Sequence, residues 1–395
     1  MAIGSHIPAA AQSPGRRFAV RVGLFYASTL GIIGVSLPFF PVWLKAIGID
    51  AFWIGIINAV PALTRFTVLP FVTAFAERRQ ALRGTMILLA CLTALGFGCV
   101  GLLRHPLAIL IVFIPIACVW TPLTPLTDGY TLKGLADHRV YGLLRLWGSA
   151  AFVVTALGCG WLADRIAAPE LIWAIVAVAA VSAGVSFGLL PLPPSGATSS
   201  APIRANTLLR QPLFLAIIAS AALVQGSHSA YYGFASITWQ NAGLGGLSIA
   251  MLWSLGVLAE IAVFALSPRF RCSPALLVLI GSAGAMLRWL ITAQEPPLGT
   301  LVVVQLMHGM SFAMTHLGTV GLMVRCVPHH VLASAQGYLV AAIGIATSAA
   351  MILCGAIYEQ AGQGIYYLMA AMALAGLLTV MAARPGLDKA GVVAA

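Results

Sequence analysis

Residues 247–267 read LSIAMLWSLGVLAEIAVFALS. One of these 21 side chains is charged. A helix rises 1.5 Å per residue, so about 20 apolar residues cross a hydrocarbon core of ~30 Å. The run is apolar all round and does not alternate, which excludes a barrel strand. The exception is Glu260. An ionised side chain in hydrocarbon costs at least ~2.5–3.5 kcal/mol on insertion scales, so such a residue is a functional candidate.

The run is one of many. The chain has 395 residues, 61% hydrophobic and 8% charged, with a mean hydropathy of +0.99. A soluble domain carries roughly 25% charged residues, so this chain cannot cover a water-exposed surface. Twelve apolar runs are read, at 19–44, 51–75, 84–103, 106–132, 141–164, 170–190, 212–240, 247–267, 273–293, 298–323, 332–358 and 363–383. They predict an all-α polytopic membrane protein of twelve transmembrane helices. The first run is too long for a signal peptide and no small-residue cleavage site follows it, so it is expected to be retained.

The net charge of +11 raises nucleic acid as a partner, but the placement of the charges points to topology. With the N-terminus inside, fifteen of the 21 Lys and Arg fall in inside loops or termini. Lys45, Arg104 and Arg165 fall outside, and Arg65, Arg145 and Arg288 lie within runs. That is a strong positive-inside bias with both termini cytoplasmic. The seven cysteines show no CxxC pair or metal-ligand spacing and read as small apolar residues. No Gly-rich phosphate loop precedes a helix, which argues against an ATP-driven pump. No enzyme activity, cofactor or metal is expected.

The longest polar interruption is PLPPSGATSSAPIRANTLLRQP, 191–212. Rich in Pro, Ser and Ala, it reads as a linker. It divides the chain into an N-terminal six-helix bundle (1–190), a cytoplasmic linker (191–211) and a C-terminal six-helix bundle (212–395). An internal repeat fits that division. WLKAIG ends the first run at Gly48 and WQNAG ends the seventh at Gly243; Arg65 and Glu260 each follow 17 residues later. Two pseudo-symmetric halves related by an axis along the membrane normal are expected.

Five charges fall well inside the membrane, namely Arg65, Asp128, Arg145, Glu260 and Arg288, with His228, His308 and His316 as titratable neighbours, while Asp164, Arg165 and Glu170 lie at a loop and Arg21 at the inner end of its run. Counting rise from the run ends puts Glu260 ~20 Å, Arg288 ~22 Å and His308 ~15 Å deep, all near the midplane. They are expected to form one hydrogen-bonded network in which Glu260 exchanges a proton as its contact with Arg288 changes. A structural ion pair that only fixes packing is the alternative. Asp128 and Arg145 flank the short loop LKGLADHRVYG and form a second pair, either in proton coupling or at helix ends. Three arginines against two carboxylates leave one positive charge over, and an unpaired cation facing a cavity suits an anionic substrate. Arg65 is then a substrate anchor, or else it snorkels to the cytoplasmic edge. On the seventh run, Gln225, His228, Tyr231 and Tyr232 share a helical face at i, i+3, i+6 and i+7, with Trp239 beyond. They read as substrate-binding groups or as a packed interface with Trp239 in the aromatic belt. Gly226, Gly233, Pro38 and Pro41 are placed to bend their helices.

The 6+6 layout resembles the major facilitator superfamily. Within it, PFFPVWLKAIG, PLTPLTDG, RLWGSAAFV, QGSHSAYYGF, WSLGVLAEIAVFALS and LRWLI resemble the bacterial 3-phenylpropionate transporter family, near lactose permease and the nucleoside–proton symporters. The likeness covers about residues 19–383. It implies proton-coupled uptake at a cavity between two bundles in a bacterial inner membrane. Arg145, in LLRLWG, looks like the substrate-binding arginine of lactose permease, and Asp128 stands near that protein's acidic partner. Arg288 and His308 resemble its coupling arginine and histidine. The carboxylates depart from the pattern: Ser311 stands where the tenth-helix glutamate is expected, and Glu260 lies about one turn from the eighth-helix one. The loop motif between the second and third helices is degraded to TAFAERRQALRG.

Together these features predict a monomeric, lipid-embedded symporter that imports a small organic acid, an aromatic carboxylate such as 3-phenylpropionate, with protons. Arg145 is favoured over Arg65 as the anchor. A proton symporter of a neutral sugar or nucleoside is the alternative, followed by a non-transporting membrane receptor.

Overall fold

The computed structural model describes residues 14–135, 141–192 and 206–389. The described residues are helical throughout their membrane portion. In chain order the crossings are span 1 (Pro14–Ala46), span 2 (Ala51–Thr67 with Leu69–Arg78), span 3 (Leu82–Gly101) and span 4 (Pro106–Trp120 with Leu123–Gly134). Span 5 (Tyr141–Ala163) and span 6 (Ile172–Ser186) complete the first half. The second half holds span 7 (Pro212–Gly226 with Ser229–Asn241), span 8 (Gly246–Leu266), span 9 (Pro274–Thr292) and span 10 (Leu298–His308 with Thr315–Cys326). Span 11 (Leu332–Ala361) and span 12 (Ile365–Lys389) follow. Ten helical stretches qualify as crossings by length and hydropathy, and the bent pair of span 2 makes an eleventh. The longest stretch, Leu332–Lys389, turns back at Gly362 (φ +53°) and is two crossings, which gives twelve. Most of the predicted linker, residues 193–205, lies outside the described residues, as does Arg139 in the loop before span 5.

Local chemistry places the breaks. Pro106, Pro212 and Pro274 open their helices, where a missing N–H costs nothing. Pro70 follows the break in span 2, where the two pieces meet at 47°. Span 7 breaks at Ser227–His228 without a proline. Span 10 carries a π-helical turn over Gly309–Met314, directly after His308. π-turns of this kind concentrate at functional sites.

The apolar core divides in a way that shapes the molecule. At the end opposite the chain termini one cluster runs through both halves, from Phe40 and Trp43 to Trp239, Trp253 and Met351. Toward the termini it separates into two. Phe18, Val22 and Tyr130 centre the first half's own cluster, and Phe214, Met323 and Val331 centre the second's. The halves meet through span 2 on span 11, span 5 on span 8, and span 1 on span 7. Backbones touch closely at the shared end: a Cβ on Gly55 would lie 2.9 Å from Gly355 Cα, and one on Gly160 would lie 2.6 Å from Gly246 O. Lys45 Nζ donates to Asn241 Oδ1 across the seam at 3.3 Å. Along span 2 the contact with span 11 reaches Phe66, which lies against Gly344; beyond it the span bends by 47°. The result is a cleft between the halves, shut at one end and open toward the termini.

Candidate functional site

Spans 8, 9 and 10 bring Glu260, Arg288 and His308 together, as their estimated depths required. His308 Nε2 lies 2.6 Å from Glu260 Oε1, and Arg288 Nη1 donates to His308 Nδ1 at 2.6 Å. A guanidinium can only donate, so Nδ1 is the acceptor and the imidazole proton sits on Nε2, facing the carboxylate. The expected direct contact between Arg288 and Glu260 is replaced by this bridge. Arg288 is fully buried and held elsewhere. Nη1 also donates to Ser311 Oγ and Nη2 to Gln305 Oε1, both at 3.2 Å. Its Cζ lies 4.6 Å from the Tyr231 ring centre and 4.5 Å from that of Trp289. Its Nε finds no hydrogen-bond partner, and the two aromatic faces cover the desolvated guanidinium there.

The network continues into span 7. His228 Nδ1 is 3.1 Å from Val224 O, which accepts its proton. That leaves Nε2 to accept from Ser311 Oγ at 3.2 Å. Ser311 therefore joins the arginine to the second histidine instead of supplying a carboxylate. Glu260 is the only carboxylate in this cluster among the described residues, and its side chain is one-fifth exposed.

Asp128 and Arg145 lie together in the first half. Their charged groups are 3.9 Å apart, bridged by Tyr141 Oη, which donates to Asp128 Oδ1 at 2.9 Å and accepts from Arg145 Nη1 at 3.2 Å. Tyr26 Oη also donates to Asp128 Oδ1, at 2.5 Å. Over half of the Arg145 side chain is exposed. Arg65 is placed differently. Its side chain is exposed, one residue before Phe66, through which span 2 meets span 11 of the other half. Arg65 stands two residues before the break in span 2. Among the described residues no carboxylate pairs with it.

The five residues singled out on span 7 divide by layer. The break at Ser227–His228 interrupts the helical face expected for them. Gln225, whose amide nitrogen donates to Phe312 O at 3.4 Å, is buried, as are His228, Tyr231 and Trp239. Trp239 thus sits in the core and not in an interfacial belt. Tyr231 stacks on Trp253 with centroids 4.3 Å apart, and Tyr232 stacks on His228 at 5.9 Å. Tyr232 alone of the five is partly exposed. Of the buried four, His228 and Tyr231 pack directly against it, with Trp239 behind Tyr231.

Sequence reasoning missed Gln305, although Gln305, His308 and Ser311 repeat at i, i+3 and i+6 and so mark a polar stripe. Tyr141, one turn before Arg145, carried a similar signal. Tyr26 carried none, because only tertiary packing brings it to Asp128. Among the described residues no group of three metal-ligating side chains is gathered.

Comparison with known proteins agrees with this architecture. The profile of the MFS_1 like family matches residues 20–369. The probable 3-phenylpropionic acid transporter of Escherichia coli (strain K12) is 32% identical over 354 residues, covering 86% of this chain and 91% of that protein. Maltose permease of Geobacillus stearothermophilus is 25% identical over 295 residues, 73% and 74% of the two chains. The nucleoside transporter NupG superposes with a TM-score of 0.77 at 18% identity, over 94% of this chain and 99% of that one. The inward-open xylose transporter XylE of E. coli gives 0.68 at 13%, over 93% and 94%. The chain belongs to the MFS_1 like family and is a multi-pass transporter of the major facilitator superfamily.

Proposed function

We propose that this transporter imports a small organic acid, with an aromatic body and a carboxylate head, together with protons. The observation that carries the reading is Arg65. Of the three arginines Arg65, Arg145 and Arg288, which stand away from the ends of the apolar runs, Arg145 is engaged by Asp128 and Tyr141, and Arg288 by His308, Gln305 and Ser311. The surplus positive charge falls on Arg65, exposed on span 2 beside the seam with the other half, and on this reading it sits in the cleft opposite Tyr232. A carboxylate seated there satisfies the guanidinium by two parallel hydrogen bonds. Tyr232, backed by Tyr231 and Trp253, offers an aromatic wall for the rest of the molecule. The relative named as a probable 3-phenylpropionic acid transporter supports this substrate class.

Proton coupling is assigned to Glu260. His308 receives a hydrogen bond from Arg288 on one nitrogen, and an added proton there would set N–H against N–H. The proton that comes and goes is therefore placed on the carboxylate. Asp128, held by two tyrosine hydroxyls and next to Arg145, is kept as the second coupling candidate. The excess of basic residues at the open end of the cleft supports a cytoplasmic location for both termini and for the linker, in a bacterial inner membrane. The cleft described above is then inward-facing, and the cycle alternates it with an outward-facing form. Labelling of Ser199→Cys from outside intact cells by an impermeant reagent would contradict that orientation.

The substrate class is tested by competition binding of 3-phenylpropionate against its uncharged amide, on purified protein. Hydrogen bonds to charged groups contribute roughly 1.5–3 kcal/mol, so the acid is expected to bind about ten- to a hundredfold more tightly. Equal affinities would remove the carboxylate and favour a neutral sugar or nucleoside, the substrates named for the maltose permease and for NupG.

A further inference from the structure

Spans 2 and 8 begin at equivalent points of the two halves. Each follows a glycine in the left-handed region, Gly48 at φ +86° and Gly243 at φ +85°. Each opens two residues later on an extended N-cap, Asp50 at φ −70°, ψ 165° and Gly245 at φ −70°, ψ 164°. Asp50 caps its own helix, since Trp53 N donates to its Oδ1 at 2.9 Å. Gly245 has no side chain with which to do the same, and the acceptor comes from the other half. Gly246 N donates to Asp164 Oδ1 at 2.5 Å and Leu247 N donates to Asp164 Oδ2 at 3.0 Å. A Cβ on Gly245 would sit 2.9 Å from Asp164 Oδ1, so a cap in cis and the cap in trans compete for one place. Arg165 does not neutralise its neighbour. Its guanidinium lies 3.9 Å from the Trp161 ring centre and donates to Trp161 O at 2.8 Å.

We propose that Asp164 is a positioning residue for the transport cycle, a latch that caps span 8 across the seam only while this end of the cleft is shut. Separating spans 5 and 8 breaks both hydrogen bonds at once. It leaves two N–H groups at the start of span 8 without an acceptor and takes a carboxylate away from a helix N-terminus, where it is favoured. Losing an N-cap acceptor changes an equilibrium on the order of tenfold. The latch thus weights the cycle toward the form closed at this end. The inference rests on the cleft opening and closing, and not on which substrate is carried.

The test reads the closed end directly. Spin labels at His105→Cys and Thr300→Cys, exposed positions on opposite halves at that end, are introduced after replacing the native cysteines, and their distances are measured by pulsed EPR in nanodiscs. Asp164→Ala is expected to raise the long-distance fraction on the order of tenfold. Asp164→Asn, which keeps one acceptor oxygen, should raise it less. Adding Gly245→Asp to Asp164→Ala restores a cap in cis and with it the helix end, but no bond across the seam, so the long distance should persist. A return to the wild-type distribution in that double variant would reduce Asp164 to a helix cap and overturn the proposal. So would an Asp164→Ala distribution unchanged from wild type. Gly160→Leu, whose Cβ has no room against Gly246 O, is the control for movement. If it lengthens the distance and Asp164→Ala does not, the latch fails and the opening motion stands; if neither does, both fail.

Discussion

Glu260→Gln liposomes are expected to exchange substrate across the membrane but not to concentrate it when a proton gradient is imposed. Glutamine keeps the length of the side chain and an acceptor oxygen for His308 Nε2, so the contact at 2.6 Å and the arginine network behind it survive. What is lost is the ability to bind and release a proton. Exchange needs only a loaded carrier that reorients. Net accumulation needs the empty carrier to return with the opposite protonation state. The expected readout is counterflow within a few-fold of wild type, and accumulation reduced to the level reached without a gradient. Normal accumulation by Glu260→Gln would move the proton elsewhere, with Asp128 next in line. Arg288→Leu is not a substitute for this experiment. It leaves His308, Gln305 and Ser311 without their buried donor, which costs stability as well as function.

The second large effect is expected at Arg65. Arg65→Lys keeps the charge but cannot form two parallel hydrogen bonds to a carboxylate. Affinity for 3-phenylpropionate should fall about ten- to a hundredfold. Arg145→Lys is expected to do less, because the Arg145 guanidinium already shares Tyr141 and Asp128. The comparison is isothermal titration of both variants in detergent. A larger loss at Arg145 than at Arg65 would return the anchor to the position that its motif favoured. Sequence alone ordered these residues the other way. Motif likeness registers the residue type at a position, whereas the choice between two cations depends on which of them has found an anion within the fold.

Much of the architecture was legible because lipid imposes a length. Each crossing needs about 20 apolar residues, and the runs read from sequence end within a few residues of most helices, as 141–164 does against Tyr141–Ala163 and 247–267 against Gly246–Leu266. The repeat signalled by Gly48 and Gly243 was legible too. Both adopt the same left-handed conformation, which is what a duplicated turn requires. The breaks were less so. Span 7 interrupts at Ser227–His228 with no proline to announce it. The depth of Glu260, Arg288 and His308 followed from a rise per residue, but their connectivity did not. Depth is a one-dimensional measure, and the insertion of His308 between the two charges is set by how spans 8, 9 and 10 turn about their axes. Tyr26 and Asp164 lie furthest from what sequence can show. Each meets its partners only through a contact between spans distant in the chain.

The most direct test of coupling is proton movement driven by substrate. Purified protein is reconstituted into liposomes containing a trapped pH dye, with equal pH on both sides, and 3-phenylpropionate is added outside. Undissociated acid crosses lipid unaided, so protein-free and Glu260→Gln liposomes set the passive rate. Acidification of the lumen well above that rate, saturable in substrate and absent with maltose or a nucleoside, is the predicted result. Substrate entry without proton entry beyond the passive rate, or proton entry driven by maltose or a nucleoside and not by the acid, would contradict it.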